Sequence, residues 1–322
     1  MEIVFLGTSS MVPTKERNVQ GIYLDYKGEG FLIDCGEGTQ RQMNINGINR
    51  NKVRKILISH WHGDHTSGLI GLIQTIGNIE EHKILEIYGP KGSKKYMKHL
   101  LQSCMFYNKV NIKVTEINPK KLTCFLETKE YKLYAAKLDH TVPCIGYSFV
   151  EKDKLNINMQ KAKQFGLKES PILADIKEGK SIKFNNRTIS PDEICEQVPG
   201  IKISFILDTQ LCNGCYELAE NADILVSECV YSSDLENKAE QYKHMTAKQA
   251  ANLASQSNVK KLILTHFSQR YKNISEVQED AKNIFSNKPV ACLSITPKVV
   301  LDAYEFHHLS IDKWNSSCLN IF

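Results

Sequence analysis

The sequence predicts an α/β protein with a single domain. Three observations carry that reading: short apolar runs alternate with segments of helical character, the runs repeatedly end in histidine or aspartate, and no linker-like stretch divides the 322 residues. Composition agrees, because 42% hydrophobic and 24% charged residues lie near globular averages. A chain of this length can bury a sizeable core.

Ile3–Leu6 reads as the first strand, followed by Gly21–Tyr26 and Phe31–Asp34 joined through the turn-forming Lys27-Gly28-Glu29-Gly30. Lys55–Ser59 is a short buried-strand run that leads straight into His60-Trp61-His62-Gly63-Asp64-His65, and Gly68–Ile76 then reads as an apolar helical segment. Ile84–Tyr88, Gly89-Pro90 and Lys91–Gln102 repeat the order of strand, turn and helix. In the second half, Ile203–Leu207 ends at Asp208, Ile224–Val226 is a further strand, Thr246–Ala254 is a helix, and Leu262–Leu264 runs on to His266. Strand ends of a layered α/β fold converge on one edge, so His60, Asp208 and His266 can meet there.

Between these halves the stretch at about 151–190 holds nine basic side chains against five acidic ones, +4 of a total +5. Few large apolar residues punctuate it, which suits a surface insertion that protrudes and moves. Met1 leads into Ile3–Leu6 with no basic segment before it, and no apolar run reaches membrane-spanning length, so a soluble, unsecreted protein is expected. The ten cysteines are scattered and read as mostly reduced core thiols. Cys212-Asn213-Gly214-Cys215 has the spacing of a metal or redox pair, but no second pair completes a tetrahedral site.

The cluster after Ser59 carries the chemistry. His60 and His62, two apart in an extended segment, project to one side, and Asp64 and His65 follow across the turn that Gly63 allows. Four ligands within six residues can serve two ions, and imidazole with carboxylate suits zinc. The cluster cannot close both coordination shells alone; His140, Asp208 and His266 supply the rest. His82, His99, His307 and His308 follow no such pattern and read as ordinary histidines.

The HxHxDH pattern resembles the signature of the metallo-β-lactamase superfamily. Gly7-Thr8-Ser9-Ser10, Pro13-Thr14-Lys15-Glu16-Arg17-Asn18, Asp34-Cys35-Gly36-Glu37-Gly38-Thr39-Gln40, Leu138-Asp139-His140, Leu207-Asp208-Thr209, His244-Met245-Thr246 and Thr265-His266-Phe267-Ser268-Gln269-Arg270-Tyr271 follow in order. Together they are similar to the ribonuclease Z family of tRNA 3′-end endonucleases.

The resemblance implies a four-layered αββα metallo-β-lactamase fold and two zinc ions per chain. His60, His62 and His140 would hold one ion, Asp64, His65 and His266 the other, with Asp208 shared. Paired zinc ions can lower the pKa of a water from 15.7 towards about 7 and clamp a phosphate. Asp64 corresponds to the family's proton acceptor and His244 to its second catalytic histidine, with Glu228 placed to orient it. The basic segment corresponds to a flexible tRNA-binding arm, with Lys161, Lys163 and Lys168 as contacts. A cytoplasmic homodimer acting on precursor tRNA completes the picture. Two departures stand out: Ser227-Glu228-Cys229-Val230 where the family often has His-Glu-Ala-Thr, and Ser170-Pro171 where its arm has Gly-Pro. HxHxDH alone also fits a thioesterase or another phosphodiesterase of the superfamily. The basic insertion, Lys15, Arg17 and Arg270 favour a polyanionic substrate.

Overall fold

The computed structural model describes residues 1–77, 84–106, 109–286, 288–292 and 298–300. His82, His307 and His308 lie outside these, while His99 is exposed on the helix Ser93–Gln102, away from the histidine cluster.

The chain lays down β1 (Glu2–Gly7), β2 (Gly21–Tyr26), β3 (Glu29–Ile33), β4 (Val53–Leu57), β5 (Ile84–Gly89) and β6 (Asn111–Glu116) as one sheet. It then begins a second sheet with β7 (Thr123–Glu127), β8 (Tyr131–Leu138) and β9 (Cys144–Glu151). Four short strands follow in an excursion: β10 (Lys154–Ile157), β11 (Ile182–Phe184), β12 (Arg187–Ile189) and β13 (Cys195–Val198). The second sheet resumes with β14 (Lys202–Ile206), β15 (Ile224–Glu228), β16 (Lys261–Thr265) and β17 (Val290–Cys292), and β18 (Lys298–Val300) returns to pair with β1. Each main sheet has seven strands, ordered 18-1-2-3-4-5-6 and 17-16-15-14-9-8-7. Strands β3 to β6 are parallel, as are β14 to β17.

Side-chain alternation explains the layers. In β1, Ile3 and Phe5 enter the core between the sheets, whereas Val4 and Leu6 enter a second core under the helices Thr39–Ile45, Leu69–Ile76 and Ser93–Gln102. The second sheet does the same: Ile203 and Phe205 of β14 face the central core, and Ile206 packs beneath the helices Asn213–Ala219, Ala247–Gln256 and Ser275–Ile284. Both faces of the inner strands of each sheet are thus covered, and strands such as β1 and β14 read as continuous apolar runs. The order is helix, sheet, sheet, helix, the αββα arrangement the resemblance implied. Among the described residues no helix is long and apolar enough to cross a membrane.

The basic excursion departs from its expected apolar poverty. Ala162, Leu167, Leu173, Ile176, Ile182, Ile189 and Ile194 form a small core of their own, closed by Cys195. The element runs to Val198 rather than about 190, because β10 pairs antiparallel with β13 from Lys154 opposite Val198 to Ile157 opposite Cys195. Asn185 and Asn186 turn between β11 and β12 with left-handed φ of 48° and 59°, as a tight hairpin requires. Over 154–198 there are eight basic side chains against six acidic ones, so the folded element is less positive than the 151–190 window.

Two glycines lock the histidine loop to the loop after β3. A Cβ on Gly36 would stand 2.1 Å from the carbonyl oxygen of Asp64, and one on Gly68 would stand 2.1 Å from that of Gly36. Gly36→Ala is therefore expected to destabilise the fold by about 1–3 kcal/mol and to loosen metal binding, because only backbone movement can relieve the clash. Thermal unfolding with and without a chelator measures both effects; an unchanged midpoint in both conditions would refute this.

Candidate metal centre

Seven side chains converge at the C-terminal ends of β4, β8, β14 and β16. His60 and His62 follow β4 in extended backbone, and Asp64 and His65 lie on the short turn of helix Gly63–Thr66. His140 follows β8, Asp208 follows β14, and His266 follows β16. Backbone hydrogen bonds knit the loops together, from Cys35 N–H to the His65 carbonyl at 2.7 Å and from Phe267 N–H to the Thr8 carbonyl at 2.8 Å. Asp208 and His266 hold left-handed backbone with φ of 44° and 61°, as does Asp34 with 56°.

The donor atoms form two groups. In the first, His62 Nδ1 lies 3.0 Å from His60 Nε2 and 3.3 Å from His140 Nε2. Asp208 Oδ2 stands 3.7 and 3.9 Å from His60 and His140 Nε2. In the second, His65 Nε2 is 3.2 Å from His266 Nε2, and Asp64 Oδ2 is 3.4 and 3.5 Å from those two atoms. Asp208 Oδ1 lies 3.3 Å from His65 Nε2. The two oxygens of Asp208 thus face different groups.

This arrangement fits metal ions. Zinc at 2.0–2.1 Å from each imidazole nitrogen in a tetrahedron sets neighbouring ligand atoms about 3.3 Å apart, close to the spacings found. Asp208 Oδ1 and His266 Nδ1 are buried and make no hydrogen bond, although they are 3.2 Å apart. Buried polar atoms without partners are costly, and a cation between the groups would satisfy them.

Hydrogen bonds behind the site aim the donors. Ser59 Oγ donates to Asp34 Oδ2 at 2.7 Å and sits 3.0 Å from His60 Nδ1, while Asp34 Oδ2 also lies 2.7 Å from His65 Nδ1. With both Nδ1 atoms protonated, Nε2 of each ring is free to face the cluster. His140 Nδ1 is likewise within 3.2 Å of the Lys243 carbonyl. Burial alone would lower the pKa of His65, but Asp208 and Asp34 outweigh it and raise it. Burial lowers that of His60, with His65 adding to the effect.

Asp64 and His244 border an open cleft with Ser10, Met11, His62 and His140. Asp64 Oδ2 accepts from Met11 N–H at 2.8 Å. Burial raises the pKa of its carboxyl, yet His266 and His65 hold it well below the usual range. His244 Nδ1 lies 3.0 Å from Oε1 of the fully buried Glu228. Three backbone N–H groups hold that carboxylate: Thr209 at 2.6 Å, Met245 at 3.2 Å and Val230 at 3.3 Å. Burial works to lower the pKa of His244, but the Glu228 charge and hydrogen bond raise it to about 9. His244 also forms a possible grouping with Asp208 and His266.

The residues expected to meet substrate divide. Lys15 and Arg270 are exposed, and the Arg270 guanidinium sits 5.1 Å from the centre of the Tyr231 ring. Lys161, Lys163 and Lys168 are exposed on the excursion, where Lys161 pairs with Glu196 at 3.4 Å. Arg17 corrects the expectation: it is 4% exposed and its guanidinium donates to the carbonyls of Tyr271 at 2.8 Å and Ser268 at 3.2 Å. It clamps the loop after β16 instead of facing solvent. Asp34 and Ser59 were missed as site residues. Asp34 stood in a quoted motif, but its link to His65 is long-range and leaves no local pattern.

A family profile described as anti-Pycsar protein Apyc1 matches residues 1–155. In structure the chain resembles human tRNase Z, short form, with a TM-score of 0.66 and 26% identity over 84% of this chain and 94% of that one. It also resembles YhfI from Bacillus subtilis, a metallo-β-lactamase fold protein, with a TM-score of 0.66 and 17% identity over 92% and 98%; this likeness speaks for the fold alone. The ribonuclease Z of Methanothermobacter thermautotrophicus is 38% identical over 292 residues, 90% of this chain and 94% of the relative. Identity of that depth over nine tenths of the chain makes it a member of the ribonuclease Z family.

Proposed function

We propose that the chain is a zinc-dependent endoribonuclease that removes the 3′ trailer from precursor tRNA, leaving a 3′-hydroxyl on the tRNA and a 5′-phosphate on the trailer. The observation that carries this reading is the carboxylate of Asp208, with one oxygen turned to each of two histidine groups. His60, His62 and His140 would hold one zinc ion, Asp64, His65 and His266 a second, and Asp208 both. Bound there, the ions would supply a nucleophilic water at neutral pH and positive charge for the attacked phosphate.

The chain's own side chains do the rest. Asp64 accepts the proton of the attacking water; its low pKa keeps it ionised at neutral pH, so it holds that proton only in passing. His244, charged at neutral pH, stands across the cleft as donor to the leaving oxygen of the ribose. Glu228 holds its ring and its proton. Metal analysis of the purified protein, combined with cleavage of precursor tRNA against hydrolysis of a thioester, tests the reading. Turnover of the thioester alone would overturn it in favour of another hydrolase of this fold.

Glu228→Gln follows as a test of His244. The carboxylate raises the pKa of His244, so the protonated donor is present below that pKa and is lost as pH rises through it. Removing the charge should move the alkaline limb of the kcat profile to lower pH by about two units or more and slow cleavage roughly tenfold or more at pH 8. An unmoved limb would separate Glu228 from the proton transfer.

The excursion at 154–198 is proposed as the tRNA-binding arm, with Lys163, Lys168 and Lys183 offering charges that no acidic neighbour engages among the described residues. Because Lys154 and Val198 are paired, a short linker can replace the whole element. That deletion should weaken precursor tRNA binding about tenfold or more and flatten its salt dependence. Hydrolysis of a small activated phosphodiester should persist. Equal loss on both substrates would make the element a support of the fold. A cytoplasmic homodimer is proposed from the family resemblance; light scattering at the mass of one chain would overturn the dimer.

A further inference from the structure

The pair Cys212 and Cys215 has no part in phosphodiester cleavage, yet it lies directly behind the turn that carries Asp208. All nine described cysteines are free thiols. Cys212 is half-buried and Cys215 buried, with their Sγ atoms 3.6 Å apart. The exposed Cys104 and Cys124 form no such pair. The Cys215 thiol, directed at the Cys212 sulfur, lowers the pKa of Cys212 to about 6 against the effect of burial. The same contact, with burial, pushes Cys215 well above its ordinary value. An accessible thiolate backed by a buried, protonated partner is the division of labour that thiol oxidation needs.

We propose that Cys212 and Cys215 form a reversible dithiol–disulfide site, oxidised by hydroperoxides, whose closure slows the enzyme by displacing the turn at Asp208 and Thr209. The Cys212 thiolate attacks the outer oxygen of the hydroperoxide, the O–O bond breaks, and the alkoxide (hydroxide, for hydrogen peroxide) takes a proton from solvent and leaves as an alcohol (water), giving a sulfenic acid. The Cys215 sulfur then attacks Cys212 Sγ, and hydroxide departs with the Cys215 proton as water. Two electrons pass from the dithiol to the peroxide, and a small dithiol reverses the bond by exchange.

Closure must be felt in the site because Thr209 is shared. Its Oγ1 lies 3.9 Å from Cys212 Sγ and accepts from the backbone N–H of Asp139 at 3.0 Å, next to His140. Its own N–H donates to Glu228, the partner of His244. A Cβ on Gly214, inside the pair, would stand 2.0 Å from the Lys137 carbonyl, so the CxxC turn is pressed against the end of β8 and has little room to absorb movement. Drawing the sulfurs from 3.6 Å to bonding distance therefore moves backbone that positions Asp208, His140 and His244 together.

The metal-loaded, full-length protein treated with about one equivalent of hydrogen peroxide should lose two hydrogens within the peptide containing Cys212 and Cys215. Cys104 and Cys124 serve as internal references, and dithiothreitol should restore the dithiol. Cys215→Ser should stop at a sulfenic acid on Cys212 that dimedone captures, and Cys212→Ser should give neither product. The rate half of the proposal rests on the nuclease reading, so kcat is measured on both precursor tRNA and a small activated phosphodiester. It should fall roughly tenfold or more on oxidation and recover on reduction, with Cys212→Ser indifferent to peroxide. Oxidation of Cys212 no faster than Cys104 would overturn the site; a disulfide that leaves kcat unchanged on every substrate cleaved would overturn its coupling to the reaction.

Discussion

Asp208→Ala should hold fewer than about one metal ion per chain against an expected two in the parent, and should cleave precursor tRNA on the order of 10³-fold more slowly or worse. The size of the effect comes from position. Asp208 faces His60 and His140 with one oxygen and His65 with the other, so its loss opens both groups at once. Asp64→Ala removes a donor from the second group only and should leave about one ion in place. Metal analysis after gel filtration separates the two variants. Full metal content and normal activity in Asp208→Ala would sink the shared-ligand assignment.

His244→Ala should do the opposite to metal: both ions stay, precursor tRNA still binds, and kcat falls by about 10²–10⁴-fold, the usual worth of a positioned proton donor. The prediction is sharp because a competing geometry exists, in which His244 lies near enough to Asp208 and His266 to form a third donor group. Asp208 and His266 already belong to the other two groups, which leaves His244 as the ring that Glu228 holds, with its Nε2 turned to substrate in this assignment. Loss of an ion from this variant would make His244 a ligand.

The His/Asp cluster was legible because four of its seven members stand within six residues and Asp208 and His266 each close an apolar run, whereas His140 follows β8, which was not read as a strand. The strands around them were legible for the same reason: a strand covered on both faces, such as β1 or β14, is a plain apolar run. Much of the segment 111–151 was not read. Its edge strands β6 and β7 are largely uncovered and mix polar with apolar residues, although β8 does alternate through Tyr131, Leu133 and Ala135. The basic excursion misled for a physical reason. Its core takes one or two residues from each of three short helices, one from each of β11, β12 and β13, and Leu167 from a loop, too few in any one window to show a period. Arg17 misled because charge in a sequence says nothing of where the guanidinium turns, and here two backbone carbonyls claim it.

The left-handed backbone at Asp34, Asp208 and His266 sets a limit on how this chain can change. Each such residue costs on the order of 1 kcal/mol that glycine would avoid. Yet glycine at any of the three would delete a donor of the cluster or the carboxylate that aims two of its histidines. Selection for a sturdier fold and selection for a working site therefore pull in opposite directions at the same positions. A descendant freed from the reaction is expected to drift there first, towards glycine or asparagine, and to grow more stable as it loses its chemistry.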